Sequence, residues 1–141
     1  MIYKVLRFLS HNFNSSNQYS VHSPVVYKLL TECIYKQKKH ILKKNIHFLN
    51  LRLVDYYNKQ FLTHTIENIL SNKVSEVLEE YCKKKENTIL LIKNIKLKNE
   101  YSCWKKLIKK NEIQVSIDFY YFGILILKVN KLQKQDYIIR L

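Results

Sequence analysis

The chain reads as an α/β protein built on a mixed sheet of about four strands, with a C-terminal antiparallel hairpin and helices ahead of it. Three observations predict this. Ile89 to Ile92 is an uninterrupted apolar run after Thr88, the pattern of a central strand covered on both faces. Ile113, Val115, Ile117 and Phe119 alternate with Gln114, Ser116, Asp118 and Tyr120, the period-two signature of a half-exposed strand. Between them Tyr101, Trp104, Leu107 and Ile108 recur at helical spacing.

The N-terminal part opens with Ile2, Val5, Leu6, Leu9 and Phe13 at helical spacing, an amphipathic helix flanked by Lys4 and Arg7. Such a stripe packs on its own domain as a rule, and that is the expectation here, with a membrane surface or a partner as the alternative. Residues 14–20 are a polar loop rich in Ser and Asn. His22-Ser23-Pro24 then starts a second helix, Ser23 as cap and Pro24 at its first position, with Val25, Val26, Leu29, Leu30, Cys33 and Ile34 on its buried face. His22 has no nucleophile beside it in sequence and is expected to be a hydrogen-bonded structural histidine.

Residues 36–44 form a basic run carrying His40, a solvated helix end or loop. Leu49, Leu51 and Leu53 alternate, so Phe48 to Val54 is expected to be a strand ending at Asp55. The spacing of Leu62, Ile66, Ile69 and Leu70 predicts a helix, and that of Val74, Val77, Leu78 and Tyr81 another. Gly123, the one glycine, is expected to let the chain turn into the returning strand Ile124 to Leu127, and Tyr137 to Leu141 is a candidate edge strand. At 141 residues, with no repeat and no Pro/Gly linker, a single domain is predicted: residues 1–44 helical, residues 45–141 α/β.

Hydrophobic residues at 47% and aromatics at 13% exclude a disordered chain. The 25 basic residues against 11 acidic ones leave a formal charge of +14, which makes a polyanion such as RNA the first partner class to weigh. Against it, only Arg7, Arg52 and Arg140 are arginine, the side chain suited to bidentate phosphate contacts, and lysine is enriched along with Asn, Ile and Tyr, all encoded by AT-rich codons. Lys83–Lys85 and Lys105–Lys110 with nearby tyrosines could stack on and neutralise single-stranded RNA, but helix faces in water explain them as well. Cys33, Cys82 and Cys103 have no metal-ligand spacing and are expected as buried thiols in a reducing compartment, the cytoplasm. No apolar stretch has the length of a membrane span, and the N-terminus lacks a signal-peptide pattern. P-loop, nucleophile-elbow and zinc-protease motifs are absent, and the helically spaced pair His64 and Glu67 carries little weight.

Two blocks of residues resemble a family of S-adenosylmethionine-dependent methyltransferases of the doubly wound α/β class. Val21 to Tyr27, VHSPVVY, is similar to the family's H-S-P-F-V-F at the start of its first long helix. The second block is Ile89–Ile92, Lys93-Asn94, Ile95-Lys96-Leu97, Trp104, Val115-Ser116-Ile117-Asp118-Phe119, Gly123-Ile124 and Ile139-Arg140-Leu141. It is similar to the family's ending: a strand, an acidic pair, an I-H-W-like turn, a helix with tryptophan, V-T-V-(S/T)-I-D-L-F-x-x-G-I-x-F-F and I-R-F. A weaker likeness lies at Leu53-Val54-Asp55, where the family has a strand ending in I-D-G-N-H.

The resemblance implies a remnant of the doubly wound sheet, because the departures fall on the chemistry. The family's E-x-G-T-x-x-G-type cofactor loop has no counterpart, since no glycine precedes Gly123. The acidic pair has become Lys93-Asn94 and the histidine has become Lys96, so neither a metal site nor unaided cofactor binding is expected. Asp55 and Asn94 are the only candidate catalytic positions, and Asp118 is expected to be structural at a strand end. The functional expectation is a shortened, degenerate methyltransferase-like protein without activity as this chain alone. The alternatives are a basic RNA-associated module, or one half of a split methyltransferase completed by a second chain. By the resemblance, about half of a family-sized domain is missing ahead of Phe48, which would leave the Phe48–Val54 strand as an exposed sheet edge, to be covered by helices, a homodimer or a partner chain.

Overall fold

The structure is a computed structural model that describes residues 1–17, 20–37, 61–129 and 133–141. The predicted Phe48–Val54 strand, Asp55 and the boundary between the two parts of the chain lie outside the described residues.

Helix α1 spans Ile2–Asn14. Helix α2, Pro24–Lys28, starts where the Ser23–Pro24 pair predicts, and the Val26 amide donates to Ser23 Oγ at 3.4 Å. It runs on without a break as a π-helix over Leu29–Ile34 and a short 3-10 turn over Tyr35–Gln37. Strand β1 is Leu62–Ile66, helix α3 is Lys73–Lys84, strand β2 is Thr88–Lys93 and helix α4 is Lys98–Leu107. The chain then forms β3, Val115–Asp118, β4, Phe122–Leu127, and β5, Gln135–Ile138.

The five strands form one mixed sheet in the order β1-β2-β4-β3-β5. β1 pairs parallel with β2, β4 runs antiparallel between β2 and β3, and β5 pairs parallel with β3. All strands except β4 therefore point the same way. Helices cover both faces, which is why β2 needs the apolar run Ile89–Ile92. Ile89 and Leu91 meet Leu29, Leu30 and Ile34 of the α2 layer, together with Val115, Ile117, Ile124 and Ile126. Leu90 and Ile92 point the other way, into Val74, Val77 and Leu78 of α3 and Trp104 and Leu107 of α4.

Several expectations are corrected. Leu62–Ile66 was predicted helical and is a strand, so the sheet has five described strands where about four were expected. The spacing of Leu62, Ile66, Ile69 and Leu70 imitates a helix, but Thr63, Thr65 and Ile66 are β-branched and β2 offers a ladder that pairs Leu62 with Thr88 through to Ile66 with Ile92. β3, expected to be half-exposed, is buried along its whole length, polar positions included. Ser116 Oγ donates to Asp136 Oδ1 across the β3–β5 pair at 2.5 Å, and Asp118 is covered by α1. His22 is exposed. Of the cysteines, Cys33 alone is buried, Cys103 is half-buried and Cys82 is exposed.

Gly123 does not make the turn. It sits inside β4, opposite both Ile92 and Asp118, and its missing side chain makes room for the indole of Trp104, with which a Cβ would collide at Cη2 and Cζ3. The turn between β3 and β4 falls to Tyr120, whose φ of 73° lies in the left-handed region. A non-glycine residue held there costs about 1–2 kcal/mol, which its contacts must offset.

Gly123→Ala should destabilise the protein by about 1–3 kcal/mol through overpacking against the indole. Urea denaturation of the single variants and of Gly123→Ala combined with Trp104→Leu checks this. A double variant less destabilised than the sum of the two singles is expected, and strict additivity would separate the glycine from the tryptophan.

Candidate functional site

In open α/β sheets ligands bind beyond the carboxyl ends of the parallel strands. Here that edge is made by Glu67 after β1, Lys93 and Asn94 at the end of β2, Asp118 at the end of β3, the Tyr120–Tyr121 turn and Ile139 after β5. Helix α1 lies against the β3 side of this edge.

Among the described residues, Glu67 and Asp118 are the carboxylates at the edge, and both are engaged by cations. Lys93 Nζ lies 2.6 Å from Glu67 Oε1, bridging the ends of β1 and β2. Glu67 stays solvated, so this pair contributes little to stability. Asn94 takes up a left-handed conformation (φ 62°), and its Nδ2 donates to the Glu67 carbonyl at 3.4 Å. Lys96, where the resemblance has histidine, sits over the Tyr121 ring with Nζ 5.2 Å from its centroid.

The second carboxylate is deeply buried. Arg7 Nη2 donates to Asp118 Oδ2 at 2.6 Å, both side chains 4% exposed. The guanidinium lies over the Tyr101 ring at 3.7 Å and near Tyr120 at 5.4 Å, which covers its planar faces with π-systems. The other oxygen, Oδ1, accepts the Tyr120 amide at 2.7 Å and so stabilises the left-handed turn. One carboxylate therefore holds a helix and a turn together. Tyr120 completes the link: its hydroxyl donates to the Lys4 carbonyl at 3.2 Å, and its ring meets Phe8 and His11 edge-on.

His11, one turn beyond Arg7, donates from Nε2 to the Asp118 carbonyl at 3.2 Å. Burial pushes its pKa below the ordinary histidine value. The charges of Arg7 and Arg140 act the same way, against the pull of Asp118. His11 is thus held neutral, with its proton on Nε2.

The sequence-predicted positions divide. Asn94 is at the edge but donates to backbone, and Asp55 lies outside the described residues. Lys93 and Lys96 take part in contacts within the chain. His64 stands half-buried on β1, its pKa lowered mainly by burial, while Glu67 turns away from it to Lys93. No group of three His, Cys, Asp or Glu residues able to hold a metal occurs among the described residues. On α3 the lysines share the helix with Glu76, Glu79 and Glu80, and Lys84 pairs with Glu80 at 2.8 Å, the pattern of a solvated helix face, while Lys105 and Lys106 of α4 are exposed. Arg7 and His11 were missed as site residues. The available signal was their i, i+4 spacing on the face opposite the apolar stripe. The chain matches no protein-family model, no curated protein and no solved structure.

Removing one member of a buried ion pair strands the other, so Arg7→Ala and Asp118→Ala should each cost about 3–5 kcal/mol. Chemical denaturation checks the size, and the double variant should cost less than the sum.

Because the His11 pKa is lowered on folding, the native state binds fewer protons than the unfolded chain below the ordinary histidine value. Its contribution is complete at neutral pH and is lost as pH falls through the lowered value. Urea midpoints between about pH 7.5 and about pH 5 should fall on acidification, and His11→Gln should flatten that slope. His64 shifts in the same direction, so part of the slope should remain in the variant.

Proposed function

We propose that this chain is a shortened, degenerate relative of the S-adenosylmethionine-dependent methyltransferases that acts as a scaffold or binding domain and does not bind the cofactor by itself. The observation that carries the reading is the Lys93–Glu67 ion pair across the carboxyl ends of β1 and β2. In open α/β sheets ligands bind beyond the carboxyl ends of the strands, and the resembled family has acids where this chain has Lys93-Asn94. A lysine there repels a divalent cation and neutralises Glu67 beside it. Asn94, tied to the Glu67 carbonyl, offers only a weak oxygen ligand.

The ancestry is supported by the order of elements. From β2 onward a strand is followed by a helix bearing Trp104, an antiparallel hairpin and a final strand, the sequence of parts in the resembled ending. The residues shared with the family do architectural work: Ser23 caps a helix, Trp104 fills the space over Gly123, and Asp118 holds α1 and the turn. The residues that differ are those a cofactor or metal would touch.

Isothermal titration of the purified protein with S-adenosylmethionine and with its demethylated product tests the reading. No saturable heat is expected up to millimolar ligand. Saturable binding at micromolar concentration would overturn it, and binding that emerges only after a glycine-rich second chain is added would favour the split-enzyme alternative.

A further inference from the structure

Helix α1 is docked by its polar side. Arg7 and His11 are its buried residues, whereas Ile2, Val5, Leu6, Leu9 and Phe13, the stripe expected to form core, face outward together with Met1 and Phe8. Leu6 is 60% exposed and Phe13 is 86% exposed. Among the described residues, this overturns the expectation that the stripe packs on its own domain. The inversion follows from Asp118: a buried carboxylate at the end of β3 demands a cation, Arg7 supplies it, and the opposite face of the helix is left outside. A contiguous apolar helix face of this kind needs a partner.

The charges around the helix say what kind. Residues 1–31 contain no Asp or Glu. The acid beneath α1, Asp118, is taken by Arg7. Exposed cations surround the helix. Lys4 is on α1 itself, and Lys105 lies over the Tyr101 ring that Arg7 also touches. Arg140 follows the strand end that pairs with Ser16, just beyond α1. A second copy of the chain would bring an equally cationic surface, +14 against +14, into contact with this one. An anionic lipid headgroup layer complements both the charge and the apolar face. At 13 residues α1 is too short to span a bilayer, and no helix among the described residues is long and apolar enough to do so.

We propose that the outward face of α1 is an interfacial anchor that seats the domain on an anionic membrane surface. Leu6, Leu9, Phe13 and their neighbours enter the boundary between headgroups and acyl chains, while Lys4, Lys105 and Arg140 meet the lipid charges. The anchor is independent of the ancestry proposed above, because it rests on α1 and its surroundings alone.

Co-sedimentation of the full chain with vesicles of phosphatidylcholine mixed with phosphatidylserine, against pure phosphatidylcholine, provides the test. Binding to the mixed vesicles that weakens with salt is expected. The Leu6→Gln/Leu9→Gln variant keeps every charge and alters only exposed positions, so it should fold, as circular dichroism would show, and its partition coefficient should fall by about tenfold or more. Phe13→Trp should give a blue-shifted emission when mixed vesicles are added, over the constant signal of buried Trp104. Binding that the glutamine variant retains in full would reduce the interaction to unspecific charge and overturn the anchor. So would the absence of a blue shift. Self-association lost in the glutamine variant, without any vesicle binding, would overturn it in favour of an interface between copies.

Discussion

The buried ion pair between Arg7 and Asp118 is the constraint on which the carboxyl edge of this protein depends. Asp118 is placed by the β3 ladder, in register with Gly123 on one side and Ile138 on the other, and it cannot move to water. A carboxylate in that position has to be paired. Its two oxygens divide the work, Oδ2 holding α1 through Arg7 and Oδ1 holding the Tyr120 amide. Buried pairs of this kind rarely add net stability over an apolar contact of the same shape, and their value lies in geometry. Here the geometry settled is which side of α1 faces inward, an outcome that hydrophobic burial alone would have reversed.

The same constraint accounts for the unusual division of labour around the hairpin. A turn with positive φ commonly recruits glycine, yet the chain places Tyr120 there and spends its one glycine inside a strand. The carboxylate of Asp118 and the packing of Phe8, His11 and Tyr121 around the Tyr120 ring hold the backbone in place. Gly123 is needed for a different purpose, since only a residue without a side chain lets the six-membered ring of the Trp104 indole come this close to the strand. Two tasks that look interchangeable in sequence are thus assigned by what surrounds each position.

Much of the architecture was legible in the residue pattern, and the reasons for success and failure are physical. The run Ile89–Ile92 can only be satisfied by cover on both faces, and the Ser23–Pro24 pair encodes a helix start locally. The return of the chain from β3 to β4 was written in alternation and burial. What sequence reasoning misread was non-local. Leu62–Ile66 has helical spacing but becomes a strand because β2 lies beside it. The polar alternation of β3 implied water on one face, whereas the partners of that face, Asp136 and Arg7, come from the far ends of the chain. For the candidate site, Lys93, Asn94 and Lys96 at the end of an apolar strand were visible at once, but the ion pair with Glu67 required knowing that β1 and β2 lie side by side. Arg7 and His11 were hidden because an apolar stripe at helical spacing is ordinarily the inward face.

The 111-residue separation between Arg7 and Asp118 also bears on the order in which the molecule assembles. During synthesis α1 leaves the ribosome before β3, and its anchoring carboxylate, together with the strand end that pairs with Ser16, is made only after β1 and β2 have been translated. An isolated helix of 13 residues is marginal in water. The segment must therefore wait, with Arg7 unpaired and its leucines bare, while the rest of the domain forms around β2. The contact that decides the direction in which α1 faces is thus written into a residue made 111 positions after its partner, so the orientation of the helix is a property of the assembled sheet and not of the helix itself.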